Sequence, residues 1–440
     1  MLFSKKQIYQ LMIPLMVEQL LTITVGIADS MMVSVAGEAA VSGVSLVDAL
    51  NNLILSILTA LATGGAVVSS QYIGRKDESS ACQAANQLLF ATVILAVGVS
   101  LLMLAGNERL LRLIFGKTEE LVMSQAVTYF MIIVLTYPFM AIYNSAAALF
   151  RSMGNSKISM QVSLVMNLIN IGGNAILIFG LKWGVAGAAI ATLFSRIVGS
   201  LFLLVRIHNP IYPVHVSNLH RLRPQGKMIR RILSIGIPGG LENGMFQLGK
   251  ILVLSLVSSY GTASIMANSV SSNLSMFMII PGNAVSLALI TVVGQCIGAG
   301  EVKQARAYTR KLITASTVMM GLVSTFIIVL RPFLLGIYNM SDAAYEMSWQ
   351  LLMWHAVVGT LLWPLSFNLP NTLRAGNDAA FTMGISMFSM WVFRVGCSYL
   401  LGRYFQLYGV WIAMFIDWGV RVILFMIRYR GEKWHSKALI

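Results

Sequence analysis

Two carboxylates stand eleven residues apart in one apolar run, Glu18 and Asp29 of VEQLLTITVGIADSMMV. At 100° per residue, eleven steps leave only about 20° of angular offset. On a regular helix the two acids therefore share a face, about 16 Å apart along the axis. A carboxylate at bilayer depth costs roughly 2.5–3.5 kcal/mol even on insertion scales, so such acids turn toward a protein interior or cavity, where they can take up protons or cations. The alternative is an acid satisfied by neighbouring hydroxyls and amides. Asn167, Asn170 and Asn174 follow i, i+3, i+7 spacing and aim a stripe of carboxamides in one direction. Such a stripe can serve a polar site or hold helices together. Thr192 and Arg196 lie one turn apart on a later run, and Tyr137 beside Pro138 is a further polar candidate.

A second group lies in the other half of the chain. Glu242 is followed by Lys250, eight residues on and about 80° around a helix, so the two share a broad face without having to touch. Asp417 and Arg421 form an i, i+4 pair, and Arg394 on the neighbouring run is placed to join Asp417 from across. With Glu242 and Lys250 this trio reads either as a coupling or substrate site of the second half or as an ion-pair network pinning the last two helices. Pro14 and Pro238 sit inside apolar runs, where each removes a backbone bond and makes a candidate bend point or a static kink. No Ser/His/Asp triad, paired-acid spacing or phosphate loop is present, His355 stands alone, and Cys82, Cys296 and Cys397 form neither a disulfide framework nor a metal spacing. An enzyme is not expected, and no cofactor or nucleic-acid partner is called for.

The elements that must carry these groups are membrane spans. Hydrophobic residues make up 57% of the 440, charged residues 11%, against about 25% charged in soluble domains. Apolar stretches of bilayer-crossing length predict twelve helices over 8–34, 46–72, 86–106, 121–150, 160–180, 186–207, 229–257, 268–297, 309–335, 345–372, 382–402 and 408–429. The basic start, MLFSKKQIYQ, leads into the first span with no small-residue cleavage pattern, so a retained span is expected. The net charge of +15 is distributed unevenly: counting basic residues within five positions of a span end with the adjoining segment, 21 lysines and arginines fall on one set of alternate segments, 6 on the other and 4 deeper within spans. The positive-inside rule then places both termini in the cytoplasm and Cys82 in a cytoplasmic loop. The Pro-containing polar stretch HNPIYPVHVSNLHRLRPQGKM divides the chain into a six-helix lobe (1–207), a cytoplasmic linker (208–228) and a second six-helix lobe with a short basic tail (229–440).

The two halves are tandem copies at an offset of about 224. IPLMVEQ at Ile13 answers IPGGLEN at Ile237, pairing Pro14 with Pro238 and Glu18 with Glu242. SSQYIGRKDE answers VGQCIGAGEV, LFRSMGNSKISM answers TLRAGNDAAFTM, and WGVAGAAIATLFSR answers YGVWIAMFIDWGVR, with Asp417 opposite Thr192 and Arg196 opposite Arg421. Six is even, so both copies enter from the same side. The fold class is therefore an all-α polytopic membrane protein of twelve helices in two pseudo-symmetric lobes, parallel repeats about an axis along the membrane normal. Such repeats suit alternating access; duplication alone would also fit a symmetric channel or scaffold.

From Ile8 to about Trp434 the chain resembles the multidrug and toxic compound extrusion (MATE) family of secondary transporters. The resemblance rests on Pro14 with Asp29, YIG at 72–74, LFRSMGN at 149–155, Asn170 with Asn174, GVAGAAIAT at 184–192, IPGGLE at 237–242 and LRAGND at 373–378, in this order over twelve spans. It implies a cation-responsive pocket in the first lobe, at Asp29, Asn170, Asn174 and Thr192. Members with Asp at the position of Asn174 have an extra titratable group, so here Asp29 is expected to be the pocket's sole carboxylate. One carboxylate, two amides and a hydroxyl suit a hard cation such as sodium; a desolvated Asp suits a proton equally well. The resemblance also implies that the first helix bends as Asp29 changes charge state. Glu242 matches a seventh-helix acid that some members use for coupling. Those members carry a second acid in the tenth helix, and LLWPLSFNLPNTLRAG has none.

The reading is a secondary active multidrug efflux antiporter, monomeric, in the inner membrane of a bacterium. It exchanges Na+ or H+ for organic, cationic and amphipathic compounds. Its partners are the small organic substrate, the coupling cation and the bilayer, and its 27 methionines and many aromatic side chains suit either adaptable substrate contacts or lipid packing. Second comes a flippase for a lipid-linked intermediate, or a metabolite exporter, of the same fold. A membrane enzyme on lipid-linked donors ranks below both, because the outer loops have few acids or histidines.

Overall fold

Every apolar run of the sequence is helical in a computed structural model that describes residues 2–116, 118–217, 223–338 and 340–436, and these residues contain no strand. The helices are α1 (Lys5–Ser34), α2 (Glu38–Gly74), α3 (Glu78–Phe115), α4 (Glu120–Ser152), α5 (Ser156–Gly180) and α6 (Gly184–Ile207). They continue with α7 (Gly226–Ser258), α8 (Thr262–Met278 and Ile280–Gly298), α9 (Val302–Ile337) and α10 (Asp342–Ala375). The last segment, Ala379–Arg430, contains two helices, because Gln406 departs from helical geometry (φ 49°, ψ −128°) and separates α11 (379–405) from α12 (407–430). All twelve expected spans fall on helix, and ten helical segments among the described residues, Ala379–Arg430 counted once, are long and apolar enough to cross a membrane. They run longer than their apolar centres because a helix continues wherever its backbone bonds are satisfied: the 37 residues of α2 reach about 55 Å, against a hydrocarbon core of about 30 Å. For the same reason Cys82, expected in a loop, lies in an early turn of α3.

Helix ends follow local chemistry. Asp77 caps α3, its Oδ1 accepting from Ser80 N at 3.0 Å, and hydrogen bonds from the Ser80 hydroxyl and then its backbone N–H hold the carboxyl below the usual range. α1 and α7 continue through Pro14 and Pro238. Elsewhere the helices widen into π-helical turns at Ala175–Gly180, His355–Gly359, Pro364–Asn368 and Met390–Gly396.

The chain forms two compact units, Lys5–Gly240 and Leu241–Ile440, the latter joined by Met1–Ser4. In the first, α1 packs on α5, α2 on α3 and α4, and α5 on α6. The boundary falls inside α7, about a dozen residues beyond the linker placed by sequence. The reason is steric: a Cβ on Gly64 would lie 2.5 Å from Ile232 O, and one on Gly236 would lie 2.8 Å from Leu61 Cδ2. Bare backbone on both helices lets the start of α7 lie directly on α2. The described part of the linker is also tied down. Gln87 donates to Arg223 O at 2.9 Å and accepts from Gln225 N at 3.0 Å, while Arg231 donates to the Tyr72 hydroxyl at 2.5 Å. In the second unit α8 packs against α9 and α10, and Phe3 meets Tyr308 edge to face.

Candidate functional site

The first unit encloses a cavity of about 440 Å³ into which α1, α2, α4, α5 and α6 all contribute. The four residues expected to form a pocket join in one hydrogen-bonded chain. Asn174 Nδ2 donates to Asp29 Oδ1 at 2.6 Å and, more weakly, to Asn170 Oδ1 at 3.4 Å; Asn170 Nδ2 donates to Thr192 Oγ1 at 3.0 Å. Asn174 is fully buried, and its Oδ1 has no hydrogen-bond partner among the described residues. Asp29 makes no salt bridge among the described residues; Arg196, the nearest basic group on α6, donates instead to Thr136 Oγ1 at 2.9 Å.

One expectation fails here. Asp29 is not the only carboxylate in this pocket, because Asp48 of α2 lines the same cavity, with the Tyr129 hydroxyl in reach. Sequence reading passed over Asp48, although it lies inside an apolar helix three and four residues before Asn51 and Asn52, a polar i, i+3, i+4 cluster on one face. With Asp29, Asp48 and Arg196 on its wall, the cavity has a formal charge of minus one when both acids are ionised. Tyr137 does not line it; the ring is wholly buried and its hydroxyl has no hydrogen-bond partner among the described residues.

Glu18 is also outside the cavity. Its Oε1 is 3.4 Å from Arg151 Nη1 and its Oε2 accepts from Ser159 Oγ at 2.9 Å, so the acid ties α1 to α4 and α5. Glu242 does the same in the second unit, where Arg374 Nη2 approaches its Oε2 at 2.7 Å and Arg374 also contacts Thr382 and Asn371. Arg151 and Arg374, like Ser159 and Thr382, are repeat partners. The duplication thus extends to one ion-pair network made twice. The arginines stand in the motifs LFRSMGN and LRAGND, and aligning them beside the paired glutamates was the available signal.

A second cavity, of about 380 Å³, lies in the second unit. Glu242, Lys250, Arg394 and Arg421 all line it, so the shared face expected of Glu242 and Lys250 is real, although Glu242 pairs with Arg374. Asp417 is wholly buried and pairs with Arg421 at 2.9 Å, also accepting from Ser389. Arg394 does not join Asp417 in a salt bridge. Its guanidinium lies 5.4 Å from the Phe246 ring, which has drawn in Lys250 (5.0 Å) and Arg421 (5.6 Å) as well. His355 is buried among aromatic rings, edge-on to Trp411 and Trp418. The described residues hold no cluster of three or more His, Cys, Asp or Glu placed to bind a metal.

A family model described as MatE matches residues 14–176 and again 238–400, the two halves of the repeat. The uncharacterized transporter YisQ of Bacillus subtilis is 27% identical over 98% of this chain and 95% of its own length. The probable multidrug resistance protein NorM of Thermotoga maritima is 25% identical, covering 99% and 94%. A solved structure, the outward-facing conformation of a multidrug resistance MATE family transporter of the MOP superfamily, superposes with a TM-score of 0.92 at 22% identity, over 98% of this chain and 97% of that one.

Proposed function

The chain belongs to the MatE family of membrane transporters, and from that premise we propose that it is a multidrug exporter driven by inward movement of Na+ or H+. The observation that carries the reading is the hydrogen-bonded chain Asp29–Asn174–Asn170–Thr192, of which Asp29, Asn170 and Thr192 line the cavity of the first unit. Several relatives are named as multidrug resistance or multidrug export proteins, which supports the activity.

Asp29 is the group that changes charge. A proton would reside on its carboxylate. Sodium would be held by that carboxylate with the amide oxygens of Asn170 and Asn174 and the Thr192 hydroxyl, a donor set that fits a hard cation and includes the unpartnered Asn174 Oδ1. A cation favours whichever conformation binds it more tightly, so a carboxylate in a pocket that tightens in one state biases alternating access. Pro14, fifteen residues before Asp29, is the proposed bend point of α1. The net negative charge of the cavity suits organic cations as well as the coupling ion, so the two compete there. Both termini face the cytoplasm in this reading, with the protein monomeric in a bacterial inner membrane.

The decisive experiment reconstitutes the full chain in liposomes, imposes a sodium or proton gradient and follows a fluorescent organic cation such as ethidium. Gradient-driven export is expected from the unsubstituted chain and not from Asp29→Asn; unchanged export by Asp29→Asn overturns the coupling scheme. The basic cavity of the second unit supports a second reading, a flippase for a lipid-linked anion. A growth assay with dyes and antimicrobials separates them, since a flippase does not alter sensitivity.

A further inference from the structure

We propose that the cavity of the second unit is a binding site for organic anions that carry an aromatic ring and a carboxylate. The proposal goes beyond the export reading and does not rest on it, because binding needs no gradient.

The charges do not balance. Of the four basic side chains on the wall, Arg374 is matched by Glu242 at 2.7 Å and Arg421 by Asp417 at 2.9 Å. Lys250 and Arg394 remain, and among the described residues neither has a carboxylate within salt-bridge distance. What they have is one ring, Phe246, shared between them and Arg421. A single aromatic face does not offset two cations taken out of bulk water. The missing element is an anion.

Donors without acceptors surround the same space. Arg394 Nε, the Trp418 indole N–H and the Ser366 hydroxyl are buried and make no hydrogen bond among the described residues. Buried donors are nearly always paired in folded proteins, so three around one cavity point to an acceptor-rich guest. A carboxylate matches the planar fork of a guanidinium and also accepts from an indole.

Three further aromatic rings stand among the polar and aliphatic residues of the remaining wall. Trp363 and Phe367 stack at 5.0 Å with 22° between planes, and Phe367 meets Trp418 edge-on at 5.9 Å. Stacked faces beside a positive cluster select a flat, apolar body with an acid at one end. The elements are shaped for this. Glu242, Phe246 and Lys250 fall at i, i+4, i+8 on α7, while Phe367 and Arg394 project from the π-helical turns Pro364–Asn368 and Met390–Gly396. Such widened turns recur at functional sites because the extra residue re-aims a side chain. At about 380 Å³ the cavity holds one small ligand.

The test is calorimetric titration of the purified full chain in detergent with four probes: 2-naphthoate, its neutral amide, 2-naphthylmethylammonium and geranyl diphosphate. Naphthoate is expected to bind about tenfold or more tighter than the amide or the ammonium, and more tightly than the non-aromatic diphosphate. Lys250→Met and Arg394→Met should each raise the naphthoate Kd about tenfold, with Lys250→Arg retaining binding. Equal affinity for the three naphthyl probes, or preference for the ammonium, overturns the anion assignment. Tighter binding of geranyl diphosphate overturns the aromatic part and favours a lipid-linked anion. Should either methionine variant fail to fold, the probe series on the unsubstituted chain still decides.

Discussion

Glu18 and Asp29 share a helix and a face, yet they do different work, and the partner decides which. Arg151 and Ser159 satisfy Glu18, whereas Asp29 has an amide donor and open cavity beside it. Removing one member of a buried ion pair strands the other. Arg151→Ala is therefore expected to lower stability by about 3–5 kcal/mol, read as a drop in melting temperature in detergent. Asp29→Asn, which keeps size and hydrogen-bonding capacity, should melt near the unsubstituted chain. Asp48 faces Asp29's cavity with Tyr129 in reach, so Asp48→Asn should weaken the response to the driving ion about tenfold, measured as the ion concentration for half-maximal export. An unaltered response would remove Asp48 from the site. Asp48 was harder to read than Asp29 because its importance comes from α1 and α6, more than a dozen residues away in sequence.

At the scale of elements, the contact of α7 with α2 depends on the absence of two side chains. A methyl on Gly64 meets backbone, Ile232 O at 2.5 Å and Gly236 N at 2.9 Å, and backbone cannot rotate aside. Gly64→Ala should therefore cost about 1–3 kcal/mol in melting experiments, while Gly26→Ala, with nothing within 4 Å of the new methyl, should be tolerated. The helices themselves were legible because a twenty-residue apolar run admits little else in a bilayer. The π-helical turns were not. Apolar sequence that widens by one residue per turn is indistinguishable from sequence that does not, and the choice depends on what packs alongside.

For the whole molecule, 21 lysines and arginines against 6 on alternate segments predict the topology. A green fluorescent protein fused at the C-terminus should fluoresce, and alkaline phosphatase fused there should be inactive; the reverse pattern would invert the orientation. The duplication is the other molecular feature, and it operates unequally. Glu18–Arg151 and Glu242–Arg374 are the same ion pair in both units. The cavities have diverged in sign: two acids and one arginine line the first, four basic residues and one acid the second.

The sequence by itself determined the twelve helices, the repeat and the family, because hydropathy, spacing and duplicated motifs are properties of neighbouring residues along a chain. It also named four residues that the structure joins in one hydrogen-bonded chain beside the first cavity, three of them on two adjacent spans. Only the tertiary structure decided which charges are neutralised. Arg394 misses Asp417, Glu18 finds Arg151 and Asp48 joins Asp29, each across helices whose rotation and depth are set by packing that no single helix specifies.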